Sequence, residues 1–227
     1  MAYDRRFGKP GRGRKENVRQ ARGRFLLVLG GIKTEQEYFQ AVTKSLAATG
    51  LHIETVAEGW NPRKLVEEAK VRQQQDVRQA KKDGHAQDVF DAIWVVTDVD
   101  EFAAEIVGLM AELRSGPIGL VVSNPCFEAW AVLHGDDQFS APCERGTVQA
   151  EAKKRGLIDP SNGKSLIWAA WEGRFETAEK RATHLRKRHE ASEALFPANN
   201  PSTDVDVIVR TLINSAVASN PDYRHSL

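Results

Sequence analysis

A chain of 227 residues with 41% apolar and 28% charged side chains can bury a core of ordinary size, which excludes wholesale disorder. No apolar run approaches the ~20 residues of a membrane span and no secretory signal is expected, so the reading is a cytoplasmic protein without membrane contact. Cys126 and Cys143 are the only cysteines, too few for a disulfide framework and wrongly spaced for zinc.

The net charge of +1 conceals an asymmetry, because residues 1–24 hold nine Lys/Arg against two acids. This stretch, with four glycines and few apolar residues, is expected to be a flexible basic arm. It suits contact with phosphates and equally a solvating tail. Residues 25–135 then read as one α/β domain and residues 136–227 as a helical region packed on it.

Phe25–Leu29 is a continuous apolar run of the kind found in buried parallel strands. Gly30 and Gly31 end it, and Thr34 with Glu37 reads as a capping box opening a helix to Gly50. Leu51–Ala57 is expected to be a second strand. Asn61-Pro62 opens a polar helix running to about Ala80. Ala92–Thr97 is the strongest strand signal and leads to Asp98, Asp100 and Glu101. A helix over Phe102–Leu113 and a fourth strand over Ile118–Val122 follow, then Ser123-Asn124-Pro125 and a helix over Cys126–His134. Beyond Gly135, Asp136–Arg145 reads as a loop and Val148–Arg155 as a short helix. Ser165–Trp171 is expected to pack back on the core. A basic helix spans Phe175–Ala194, and Ser202 or Thr203 caps a last helix bearing Val205, Ile208, Val209 and Leu212. The alternation implies a parallel sheet with helices on its faces, where ligands sit beyond the carboxyl ends of the strands.

Three polar clusters fall at those ends. Asp98 and Asp100, two residues apart at a strand exit, suit a hard divalent cation that activates water for phosphoryl chemistry. They suit equally well a solvated cap on the next helix. At Gly30-Gly31-Ile32-Lys33-Thr34-Glu35, turn amides and a helix start favour a phosphate. Glu35 is placed either to reach a metal held by the aspartates or simply to offset the helix dipole. Neither a Walker loop nor a complete GxGxxG is present. The third cluster, Ser123 to Trp130 with His134 beyond, offers Asn124 as a ligand amide and Glu128 and His134 as ligands or bases. Cys126 has no evident activating base. Lys180, Arg181 and Arg188 on the basic helix are candidate backbone contacts to nucleic acid, or a solvated face.

These clusters resemble the RloB-like proteins, bacterial and archaeal proteins with a TOPRIM-type domain. The resemblance rests on Lys33-Thr34-Glu35 with Tyr38-Phe39, on Val95-Val96-Thr97-Asp98-Val99-Asp100, on Ser123-Asn124-Pro125-Cys126-Phe127-Glu128-Ala129-Trp130 through His134, and on Asn200 to Val205. It implies a four-stranded parallel TOPRIM-like sheet, Mg²⁺ or Mn²⁺, and a nuclease acting on DNA or RNA in anti-phage defence. An ABC/AAA-type ATPase is its implied partner. The expected site is then Glu35, Asp98 and Asp100 as metal ligands, with Glu128 completing the acidic cluster. Gly30, Gly31, Lys33 and Asn124 would meet the phosphate. The usual TOPRIM glutamate of the first turn is replaced here by Gly30; either Glu35 supplies the missing carboxylate from the helix start, or the metal site is weakened. A rival expectation is a nucleic-acid-binding or complex-forming subunit whose TOPRIM site has degenerated. A further one is phosphoryl chemistry on a small nucleotide. Of the three tyrosines, Tyr38 reads as core and Tyr3 and Tyr223 as tail, which argues against covalent tyrosine catalysis.

Overall fold

The structure is a computed structural model and describes residues 23–85, 88–135, 143–161 and 165–227. The basic arm through Arg22 and residues 136–142 of the expected loop lie outside the described residues.

Five strands form one sheet: β1 (Arg24–Leu29), β2 (His52–Ala57), β3 (Ala92–Asp98), β4 (Ile118–Asn124) and β5 (Ser202–Thr203), in the order β2-β1-β3-β4-β5. The first four are parallel, with Leu29 opposite both Ala57 and Val96 and Asp98 opposite Ser123. The expected count of four strands is therefore corrected to five. Ser202 and Thr203, read as helix caps, instead pair antiparallel with Asn124 and Ser123, and the Ser123 and Thr203 hydroxyls share a 2.9 Å hydrogen bond.

The described helices are α1 (Thr34–Leu46), α2 (Pro62–Lys82), α3 (Ala103–Leu113), α4 (Glu128–His134), α5 (Arg145–Lys154), α6 (Phe175–Ala191) and α7 (Val205–Ser219). Alternate strand residues point to opposite faces. Leu26, Val28, Ile93 and Val95 meet Leu65, Val66 and Ala69 of α2 and Leu109 of α3. On the other face Phe25, Leu27, Leu29 and Val96 join Tyr38 and Phe39 of α1, Trp130 of α4, Leu185 of α6 and Ile208 and Leu212 of α7. The C-terminal helices thus share the core of the sheet. Both faces are covered, which is why β1 and β3 read as unbroken apolar runs. No helix among the described residues is long and apolar enough to cross a membrane.

Of two expected helix caps, one forms and one does not. Asn61 does cap α2, its Oδ1 accepting from the Lys64 N–H at 2.9 Å. The Thr34–Glu37 box does not form: Lys33 holds the N-cap position, without a side-chain cap. The Glu37 carboxylate instead accepts from the Leu166 N–H (2.6 Å) and the Ser165 hydroxyl (3.2 Å), pinning the Ser165–Trp171 segment to α1.

Candidate active site

The strand order changes direction between β1 and β3, since the chain leaves β1 toward β2 on one side and adds β3 and β4 on the other. In open α/β sheets the crevice at that switch point, beyond the carboxyl ends of the strands, is the natural ligand site. A cavity of about 230 Å³ lies there. Its walls are the turn after β1 (Gly30, Gly31, Lys33, Glu35), the end of β3 (Thr97, Asp98, Asp100), and Phe127 and Glu128 at the start of α4. Trp60, Phe102 and Arg145 close it.

Local chemistry aims these groups. Gly30 continues the β1–β3 ladder through its N–H to the Val96 carbonyl at 2.9 Å. At Gly31 a Cβ would fall 1.0 Å from Oε2 of Glu35, so only glycine leaves that carboxylate its place. Glu35 and Glu128 are 6% and 2% exposed, deep burial for carboxylates. Asp100 adopts a left-handed backbone (φ 37°), which aspartate tolerates better than most residues. Asp98 Oδ1 accepts the Phe127 N–H at 2.7 Å, joining the end of β3 to the start of α4.

Four carboxylates therefore face one small cavity. Burial, then the charges of Glu35 and Glu128, hold the Asp98 carboxyl well above its ordinary range; Arg145 opposes the shift and Asp100 adds to it. Such crowding of like charges in a cleft singles the cavity out as the candidate site.

The helix α5 supplies the counter-charge, and the sequence had not assigned it to the site. The Arg145 guanidinium pairs with the Asp100 carboxylate and stands 3.6 Å from Asp98 Oδ2. One turn on, Gln149 Nε2 donates to Glu128 Oε1 at 3.2 Å. Residues four apart share a helix face, so both reach the acidic wall from one side. The Asn200 side chain grips the main chain of Cys143 in both directions, accepting from its N–H (3.0 Å) and donating to its carbonyl (2.9 Å). This fixes the entry to α5 two residues before Arg145.

The model of the RloB-like protein family matches residues 25–212, most of the chain. The chain belongs to the RloB-like family. Comparisons with curated proteins and with solved structures found no match. The RloB-like match runs from β1 into α7 and so takes in every wall of the cavity, Arg145 included.

Of the residues expected at the RloB-like site, Gly30, Gly31, Lys33, Glu35, Asp98, Asp100 and Glu128 all line the cavity. Asn124 does not. Its amide donates to the Pro197 carbonyl (2.9 Å) and to Asn199 Oδ1 (3.1 Å), bracing the turn before β5. Arg181 lies outside the cavity and donates to the Leu133 carbonyl at 2.8 Å, and Arg174 to that of His134 at 3.3 Å, so both face the C-terminus of α4. Lys180 is exposed in a separate groove with Glu179, Thr183, His184 and Lys187. Arg188 also lies on α6, half-buried and outside the cavity. Cys126 is fully buried, and burial with the charges of Glu128 and Asp98 pushes its thiol far up, against any nucleophilic role. Tyr38 is core, ringed by Phe39, Phe127, Trp130, His134 and Trp171, and burial raises its phenol. Tyr223 is not a loose tail, since its hydroxyl donates to the Ser45 carbonyl at 2.7 Å.

Gly31→Ala is expected to cost under about 1 kcal/mol, because the obstructed atom is the end of a flexible side chain. It should nevertheless expel the Glu35 carboxylate. If the cavity is a metal-dependent catalytic site, turnover should fall by roughly 10–100-fold, as in Glu35→Gln. Unchanged turnover in Gly31→Ala would then remove Glu35 from that role.

His134, offered by the sequence as a ligand or base, lies outside the cavity lining and packs against Trp130 and Trp171. Burial lowers its pKa to about 3; its bond to the Trp130 carbonyl opposes that shift, and Arg174 and Arg181 add to it. Below pH 6.5 the unfolded chain takes up a proton that the fold refuses until about pH 3. Stability is therefore complete above pH 6.5 and falls by about 1.4 kcal/mol per pH unit beneath it. Urea titrations at pH 7.5 and 5 should show a steeper loss in wild type than in His134→Gln. Parallel losses in the two proteins would mean that His134 is protonated in the fold.

Proposed function

We propose that this RloB-like chain hydrolyses phosphodiester bonds of DNA or RNA with a divalent cation, Mg²⁺ or Mn²⁺, at a TOPRIM-like site. The observation that carries this reading is the convergence of Glu35, Asp98, Asp100 and Glu128, with Lys33 and the Gly30–Gly31 turn, on one cavity at the switch point of the sheet. Oxygen donors of this kind suit hard cations, which keep waters and complete their shell with substrate phosphate. When bound, such a cation would supply activated water and offset charge developing on phosphorus.

The donor chemistry fits, and the arrangement fits only in part. Among the described residues no three His, Cys, Asp or Glu side chains are grouped to hold a metal as they stand, and Arg145 pairs with both aspartates. In this reading Asp98 and Asp100 are the principal ligands, and Glu35 ligates or orients water. Glu128, steadied by Gln149, completes the acidic wall, while Lys33 and the turn amides hold the phosphate. A cytoplasmic place, a role as an anti-phage effector and an ABC/AAA-type ATPase partner belong to the same proposal and rest on the family resemblance.

A second reading, a nucleic-acid-binding or complex-forming subunit with a degenerate site, is favoured by Gly30 in the slot of the usual TOPRIM glutamate and by the seated Arg145. Incubation with plasmid, single-stranded DNA and total tRNA, in Mn²⁺, Mg²⁺ or EDTA, separates the two. Metal-dependent cleavage absent from Asp98→Asn supports the nuclease. Nucleic-acid binding without cleavage supports the second reading.

A further inference from the structure

Arg145 is the first residue of α5, and its guanidinium pairs with Asp100 and lies 3.6 Å from Asp98 Oδ2, inside the cavity that also holds Glu35 and Glu128. Its mount is firm at both ends, with Asn200 clasping the main chain of Cys143 before the helix and Gln149 bonded to Glu128 one turn into it. The long side chain is the adjustable part. It is 36% exposed, so it reaches solvent from the cavity mouth and can leave the aspartates without unseating α5. Among the described residues, this one side chain supplies the ionic contact of both aspartates.

We propose that Arg145 is a resident counter-ion which occupies the cation position between Asp98 and Asp100, and that a divalent cation binds only by displacing it. The proposal rests on the metal-dependent reading above and adds that metal affinity is set by competition with an internal guanidinium. The like-charged wall explains the arrangement: with no cation these carboxylates repel, and a guanidinium offers a planar donor fork matched to carboxylates. A hydrated Mg²⁺ or Mn²⁺ presents twice the charge to the same oxygens, so the exchange is possible where the metal is abundant.

The test uses the full chain and Mn²⁺ alone, with binding read by the loss of the free-ion electron paramagnetic resonance signal. Wild type, Arg145→Gln, Arg145→Lys and Arg145→Gln/Asp98→Asn are compared. Arg145→Gln should bind Mn²⁺ at least about tenfold more tightly than wild type, the scale of one lost charge-assisted contact. Arg145→Lys, which keeps the charge but not the fork, should fall between them, and the double variant should lose the gain. In EDTA, Arg145→Gln should melt below wild type, and Mn²⁺ should raise its melting temperature by more than it raises that of wild type. Mn²⁺ binding of equal strength in wild type and Arg145→Gln overturns the displacement proposal and leaves the metal reading standing. No binding in any of the four proteins overturns the metal reading, and the proposal with it.

Discussion

Asp98→Asn is expected to abolish metal-dependent cleavage, by at least about 10³-fold, while leaving the protein as stable as wild type or more so in EDTA. The two halves have one cause. Asp98 stands in the cavity wall with Glu35, Glu128 and Asp100 as like-charged neighbours, and the nearby Arg145 opposes their effect on its ionisation. A carboxyl raised in this way is less stable in the fold than in the unfolded chain at neutral pH, so a neutral amide relieves repulsion. The amide oxygen still accepts the Phe127 N–H that Asp98 Oδ1 accepts at 2.7 Å, and Arg145 keeps its partner Asp100. A gain of about 1 kcal/mol would raise the melting temperature by some 2–4 °C in a domain of this size. The charge lost is the one that would face the metal. Thermal melts in EDTA and cleavage assays in Mn²⁺ read the two effects separately. Retained cleavage would remove Asp98 from catalysis, and a fall of more than about 5 °C would show that its role is structural.

A site that is destabilised by its own charges is a recurrent feature of catalytic centres, where function opposes stability. Here the same feature separates what the sequence reveals from what it conceals. β1, β3 and β4 were legible because they are covered on both faces, so composition alone marks them. The acidic residues were legible because each ends or follows a strand in a parallel sheet, and topology brings such ends together. Arg145 and Asn124 were not. Arg145 arrives from a helix whose start follows a stretch with no clear pattern, and its relevance depends on Asn200 clasping Cys143 from 57 residues away. Asn124 sits one residue beyond Ser123 at the end of β4, yet its amide turns to Pro197 and Asn199 rather than to the cavity. Glu37 fits a local capping rule and serves Leu166, 129 residues distant. In each case a short-range rule lost to a partner supplied by the C-terminal region.

That region makes a buried electrostatic commitment at Arg186, whose replacement by alanine should be strongly destabilising. The guanidinium meets Asp206 with both terminal nitrogens, at 2.8 and 2.6 Å, and donates to the Thr203 carbonyl at 2.8 Å. Asp206, in the first turn of α7, is 3% exposed. Removing the arginine leaves a buried carboxylate without its bidentate partner, a loss of about 3–5 kcal/mol. The melting temperature should drop by roughly 10 °C. Lys70→Ala supplies the contrast: Lys70 and Glu112 are 41% and 34% exposed, and solvent screening leaves such a pair little effect on stability. Replacing both members, as Arg186→Met with Asp206→Leu, should recover most of the loss, because the penalty lies in the orphaned charge rather than in the pair. Thr203 links this pair to the site, since it forms β5 against Ser123 and the Asp98–Phe127 contact lies just beyond that pairing. Arg186→Ala should therefore lose activity in step with unfolding and regain it on cooling. A loss under 1 kcal/mol would show that Asp206 is better solvated than its burial implies. A loss of activity in fully folded protein would place the α6–α7 pair in control of the site itself.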